Sequence, residues 1–203
     1  MQMKEIQKEI LENKKRHGFN TTNIEQEFCY LYGELREAYE AYVKGWDIFG
    51  EELADVTNFL MGIAEIKGID LATEILKKVA KNGDNALQQK EGIVLQLNPN
   101  ITDASKPMKE LQKEIRENDI LQEEYLTTIE QKFCNVYGKV GEAYDAYYKG
   151  LGNFTEKLAD VAIYLMELAE VNGIDLGTEI VRKVEKNKSR VYRQNELGNM
   201  VHL

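Results

Sequence analysis

Sliding the 203-residue chain against itself by 105 positions lays Met3-Lys4-Glu5 over Met108-Lys109-Glu110, and the match continues without a gap to Asn82 over Asn187. Roughly 45 of those roughly 80 positions are identical, far above chance for an internal comparison. Two copies are too few for a solenoid, which needs three or more repeats to stack, so the pattern predicts two like domains packed as a fused dimer. The stretch from Asn98 to Pro107 has no apolar period and carries a proline near each end, which marks a linker between a domain over 1–97 and a second over 108–203.

Within each copy the apolar residues recur at helical spacing. In the first, Ile6 and Ile10 mark one amphipathic helix, and Phe28, Leu31, Leu35, Ala38 and Tyr42 mark a longer one that Gly45 ends. Leu53, Val56, Leu60 and Ala64 give a third helix closed near Gly68, and Asp70 stands where an N-cap belongs for a fourth through Leu71, Ile75 and Val79. The second copy repeats the plan. With only two prolines, Pro99 and Pro107, in a chain rich in Glu, Lys, Leu, Ala and Ile, the predicted class is all-α, with four helices per copy. Two short strands are also predicted, Gly92 to Leu97 and its weaker counterpart Met200 to Leu203.

A net charge of -9 argues against holding nucleic acid through phosphate neutralisation, which needs a surplus of Lys and Arg. A small phosphorylated ligand held through metal ions is compatible with it. No stretch approaches the ~20 apolar residues of a membrane helix, and no basic segment leads into an apolar run, so the reading is a soluble, cytoplasmic protein without a membrane partner. Cys29 and Cys134 lie far apart without metal-ligand spacing and are expected to be small core residues.

The second helix carries Glu34 and Glu37, and the third carries Glu52 and Asp55. An i, i+3 pair projects from nearly one side of a helix, and both pairs border the apolar stripe. Packed antiparallel, the two helices would bring four carboxylates into one small volume. Two like charges about 4 Å apart repel by several kcal/mol at an effective dielectric near 20, so such a cluster needs protonation or a cation. All-oxygen ligation suits hard divalent ions, Mg²⁺ first and Mn²⁺ second. Taken singly, either pair also reads as an ordinary solvated helix face.

The pattern E-x-x-E, a spacer, then E-x-x-D, seen in Gly33-Glu34-Leu35-Arg36-Glu37-Ala38 and Glu51-Glu52-Leu53-Ala54-Asp55-Val56, resembles the signature of the MazG-like, all-α nucleoside triphosphate pyrophosphohydrolases. The likeness extends through His17-Gly18-Phe19, Ala41, Lys44-Gly45, Gly68-Ile69-Asp70-Leu71 and Lys78, nearly the whole first copy. It implies a metal-binding hydrolase that cleaves a nucleoside triphosphate substrate between its α and β phosphates, with Glu34, Glu37, Glu52 and Asp55 holding Mg²⁺ and serving catalysis.

The second copy departs from that pattern. Glu142 and Asp160 match Glu37 and Asp55, but Lys139 replaces Glu34 and Lys157 replaces Glu52. An ammonium neutralises neighbouring acids yet cannot ligate Mg²⁺, so this copy is expected to be structural. At the end of helix four the asymmetry reverses. The second copy reads Lys183, Asn187, Arg190, Tyr192, resembling the family's basic, nucleotide-holding ending, whereas the first has Lys78 and Asn82 followed by Asn85 and Leu87. These cations also suit a helix C-terminus electrostatically. Complementary decay predicts a composite site, with acids from the first copy and cations from the second.

Trp46, the only tryptophan, serves either base stacking or ordinary packing. Tyr39 and Tyr144 occupy equivalent positions and read as core or interface residues. The leading function is thus a Mg-dependent nucleoside triphosphate pyrophosphohydrolase. Its alternatives are a catalytically weak nucleotide-binding or regulatory module of the same fold, and a purely structural helical protein. Enzymes acting on dUTP, dCTP or phosphoribosyl-ATP share the acidic frame, so the pattern does not choose a base. An exposed apolar helix face would favour a further homodimer of the fused pair.

Overall fold

The computed structural model describes residues 2–89, 106–121, 128–195 and 200–202. The first repeat forms α1 (Met3–Arg16), α2 (Ile24–Lys44), α3 (Phe49–Ile66) and α4 (Leu71–Gln89). The second forms α5 (Met108–Leu121), α6 (Ile129–Tyr148), α7 (Phe154–Val171) and α8 (Leu176–Ser189). The class is all-α, as the apolar spacing predicts. Asn23 caps α2 by accepting from the Gln26 amide at 3.0 Å, and Gly45, in the left-handed region at φ 63°, ends it. Asp70 accepts from the Thr73 amide at 3.3 Å, as its N-cap position requires.

One buried residue explains how the turn between helices three and four is held in each repeat. Gln7 on α1 donates to the Ile69 carbonyl at 2.6 Å and accepts from the Leu71 amide at 3.3 Å. Gln112 on α5 repeats both bonds with Ile174 and Leu176 at 2.7 and 3.2 Å. A backbone turn buried under a helix needs its polar groups satisfied, and a carboxamide supplies donor and acceptor together.

The halves interlock. α8 packs on α3, α4 packs on α7, and α2 meets α6. Phe28 faces Tyr144 with ring centroids 5.4 Å apart, and the equivalent residues with roles exchanged, Phe133 and Tyr39, lie 5.0 Å apart. Residue i of one half meets j of the other and the reverse, the pattern of an isologous contact. Tyr39 and Tyr144 are therefore interface residues. The apolar core runs continuously from Leu31, Leu35 and Leu60 through Val136, Leu165 and Leu168.

Two expectations are corrected. Cys29 and Cys134 are exposed: each follows a buried phenylalanine, Phe28 or Phe133, and the 100° step of a helix turns the next residue away from the core. Residues 200–202 form a strand as expected, but its partner is a strand the sequence did not suggest. β1 (Tyr192–Gln194) pairs antiparallel with β2 (Met200–His202). The strand expected over 92–97 and most of the linker lie outside the described residues.

Candidate functional site

α2 and α3 run antiparallel, joined by the short turn after Gly45, so their acid pairs meet side by side. One carboxylate oxygen from each of Glu34, Glu37 and Glu52 lies within 4.8 Å of the others, close enough to share one ion. Burial, then the negative charges of Asp55, Glu37 and Glu52, push the Glu34 carboxyl up to about 8. Glu52 is raised for the same reasons, burial first and Asp55 next. Glu37 stands at the solvent edge, 53% exposed, with the Arg36 guanidinium 3.5 Å away. Hard oxygen donors crowded until one holds a proton are the donor set that a divalent cation fits.

Asp55 is engaged differently. Lys183 reaches across from α8, buried, and forms ion pairs with Asp55 and with Glu51, the latter at 2.7 Å, while Lys186 reaches Glu51 at 2.6 Å. Burial pushes Asp55 up and the Lys183 pair pulls it back, leaving its pKa raised. Burial also pushes Glu51 up, but hydrogen bonds from Lys183 and Lys186 outweigh it and hold the carboxyl down at about 2.

The opposite crossing has the same form. Lys78 on α4 pairs with Glu156 at 2.8 Å and Asp160 at 3.0 Å on α7, and Lys81 pairs with Glu156 at 2.9 Å. Lys78, which the resemblance places among the substrate-holding residues, is carried by the interlocking of α4 with α7 to the acids of the other repeat. There Lys139 and Lys157 both pair with Glu142, at 3.2 and 2.6 Å, so cations within the second copy neutralise Glu142, while Asp160 is met by Lys78 from the first.

A cavity of about 590 Å³ opens beside the first-copy acids. Glu34 and Asp55 line it from one repeat, and Lys183, Asn187, Arg190 and Tyr192 from the other. Arg190 donates to Asn187 at 3.1 Å. Trp46 does not line it: the indole is 46% exposed beneath the Lys44 ammonium, 4.4 Å from its centroid, because the turn after Gly45 points outward. The Asn82 side chain lies outside the described residues. Lys14, Glu27, Asn13 and Asn58 also line the cavity and were not singled out from the sequence. A signal existed for three of them, since Lys14, Glu27 and Asn58 change to Asp119, Lys132 and Ile163 in the second copy.

A 76-residue stretch is 33% identical to a protein named dATP/dGTP diphosphohydrolase from Salmonella phage PMBT28. The match takes in 37% of this chain and 25% of the phage protein, so the chain spans about a quarter of that relative's length. No family model matches the sequence, and no solved structure matches it. Among the described residues no helix is long and apolar enough to cross a membrane.

Proposed function

We propose that this protein is a Mg²⁺-dependent nucleoside triphosphate pyrophosphohydrolase of the MazG type, two repeats packed as a pseudo-dimer around one working site. The observation that carries the reading is the cavity in which acids of one repeat face cations of the other. A ligand with a polyanionic tail and an apolar head suits such a wall, and the partial likeness to the phage diphosphohydrolase supports a nucleotide.

In this scheme Glu34, Glu37, Glu52 and Asp55 hold Mg²⁺, which would polarise phosphoryl oxygens and lower the pKa of an attacking water. Lys183 and Arg190 bind the phosphate chain, the guanidinium by two parallel hydrogen bonds. Phosphate drawing Lys183 away would release Asp55 to join the other three carboxylates. Water then enters at phosphorus, the α–β anhydride bond breaks, and monophosphate and pyrophosphate leave. Glu142 and Asp160, occupied by lysines, take no part.

A second reading, a nucleotide-binding module with weak turnover, draws on Asp55 being tied to Lys183. Pyrophosphate release from a panel of nucleotides, with Mg²⁺ and with chelator, separates the two. Asp55→Asn abolishes release in the enzyme reading, whereas Asp160→Asn does not. Equal loss from both, in folded protein, refutes the one-site scheme.

A further inference from the structure

The acid cluster lies at one side of the cavity, and the walls lead away from it along α2 and α3. Tyr30 is four residues before Glu34, and Asn58 and Phe59 follow Asp55 by three and four, so each lies about one helical turn, roughly 5 Å, farther along. Tyr30 and Phe59 hold their rings 5.4 Å apart, and Phe19 and Tyr192 meet edge to face at 4.7 Å. All four line the cavity. This part is aromatic where the acid side is charged.

Two buried amide oxygens in these walls lack partners. Asn13 and Asn58 are each only 8% exposed, both line the cavity, and neither Oδ1 has a hydrogen-bond partner among the described residues. Glu27, beside them, has both oxygens engaged, one by Asn20 at 2.8 Å and one by the Lys14 ammonium. Gly62 makes room for that pair: a Cβ there would stand 3.1 Å from the Lys14 side chain. A buried acceptor without a donor is costly, so this wall suits a ligand that brings N–H groups.

The second copy keeps Asn118 at the place of Asn13 but changes the rest of this wall: Ile163 replaces Asn58 and is buried, Lys132 replaces Glu27, and Glu167 fills the place of Gly62. Among the described residues, the Asn58, Glu27 and Gly62 combination belongs to the repeat that keeps the acids.

We propose that this end of the cavity is a nucleobase subsite in which Asn13 and Asn58 read the exocyclic amino group of adenine, guanine or cytosine between the aromatic walls. It deepens the nucleotide reading above and rests on it. Uracil, thymine and hypoxanthine carry a carbonyl where cytosine or adenine carries the amino group, so on that edge a single ring N–H faces two amide acceptors and one of them stays unsatisfied.

Calorimetric titration of the full chain with dAMP and dIMP, without metal, compares the 6-amino edge of adenine with the 6-oxo, N1–H edge of hypoxanthine. The subsite requires dAMP to bind at least tenfold tighter. Asn58→Ile installs the residue the second copy carries at this position, and its folding is checked by circular dichroism. It is expected to erase the preference by weakening dAMP while leaving dIMP unchanged. Equal binding of the two by the unmodified protein, no binding of either, or an equal loss of both in Asn58→Ile overturns the proposal. The outcomes separate from those of the enzyme reading. Preferential dAMP binding without triphosphate hydrolysis refutes the hydrolase alone, and Mg²⁺-dependent hydrolysis without base preference refutes the subsite alone.

Discussion

Without metal, the first-copy acids should make the protein lose stability as pH rises, and Glu34→Gln should remove most of that loss. At the 4.8 Å limit of the Glu34, Glu37 and Glu52 oxygens, two full charges repel by about 3.5 kcal/mol at an effective dielectric of 20. Glu34 avoids this by keeping its proton up to about 8, well above the ordinary 4.5 of a glutamate carboxyl. A raised carboxyl favours folding fully below the unfolded pKa, and the advantage is lost as pH rises through the folded one. Between pH 6 and 8 the folded state holds a proton that the unfolded state has released, so stability falls by at most about 1.4 kcal/mol per pH unit. With the folded group half titrated by pH 8, that is about 2.3 kcal/mol over the two units, or about 5–9 °C in melting temperature for a chain of this size. Thermal melts in chelator at pH 6, 7 and 8 measure it. Glu34→Gln should flatten the profile, and Mg²⁺ should raise the melting temperature of the unmodified protein most at pH 8. Glu34→Lys combined with Glu52→Lys copies the second repeat and should abolish the Mg²⁺ response while the protein stays folded. A profile equally steep in Glu34→Gln, or a Mg²⁺ response surviving in the double lysine variant, would show that the charge and the metal sit elsewhere.

Two further expectations concern the interlocking lysines. Arg190→Ala should lower kcat/KM for a nucleoside triphosphate at least tenfold, about 1.4 kcal/mol, whereas Lys78→Ala should affect stability more than turnover; silent Arg190→Ala and Lys183→Ala variants would defeat the composite site. Glu51 and Glu156, both held down at about 2 by lysines from the other repeat, should favour folding above about pH 4.5 and lose that contribution as pH falls toward 2. Acid-unfolding curves of Lys78→Met should show less of this loss than the unmodified protein, and identical curves would mean the crossed pairs are energetically idle.

The helices, and which acids share a face of α2 or α3, were legible in the sequence because both depend on spacing along a single element; that Asp55 meets Lys183 while Glu34, Glu37 and Glu52 cluster was not. Period 3.6 marked α1 to α4 from Ile6, Leu31, Leu60 and Ile75, and i, i+3 placed Glu34 with Glu37 and Glu52 with Asp55 without knowledge of any partner helix. Duplication also revealed which half had exchanged acids for lysines, and the Glu142 pairs with Lys139 and Lys157 have the expected form. Local pattern was less reliable where side-chain direction mattered, as Cys29 and Cys134 show.

Contacts between the halves were decided only by the tertiary structure. Spacing within a repeat cannot say whether Lys78 faces its own acids or its neighbour's. The exchange of α4 and α8 sends Lys78 to Asp160 and Lys183 to Asp55. Asn13 and Asn58 belong to the same class. On α1 and α3 each is an ordinary polar residue, and only packing makes both line one cavity with their amide oxygens buried and unpartnered. Sequence records the periodicity of each helix because the backbone hydrogen-bond ladder imposes it locally. It does not record which faces meet, because that depends on how the whole apolar surface of both repeats is buried at once.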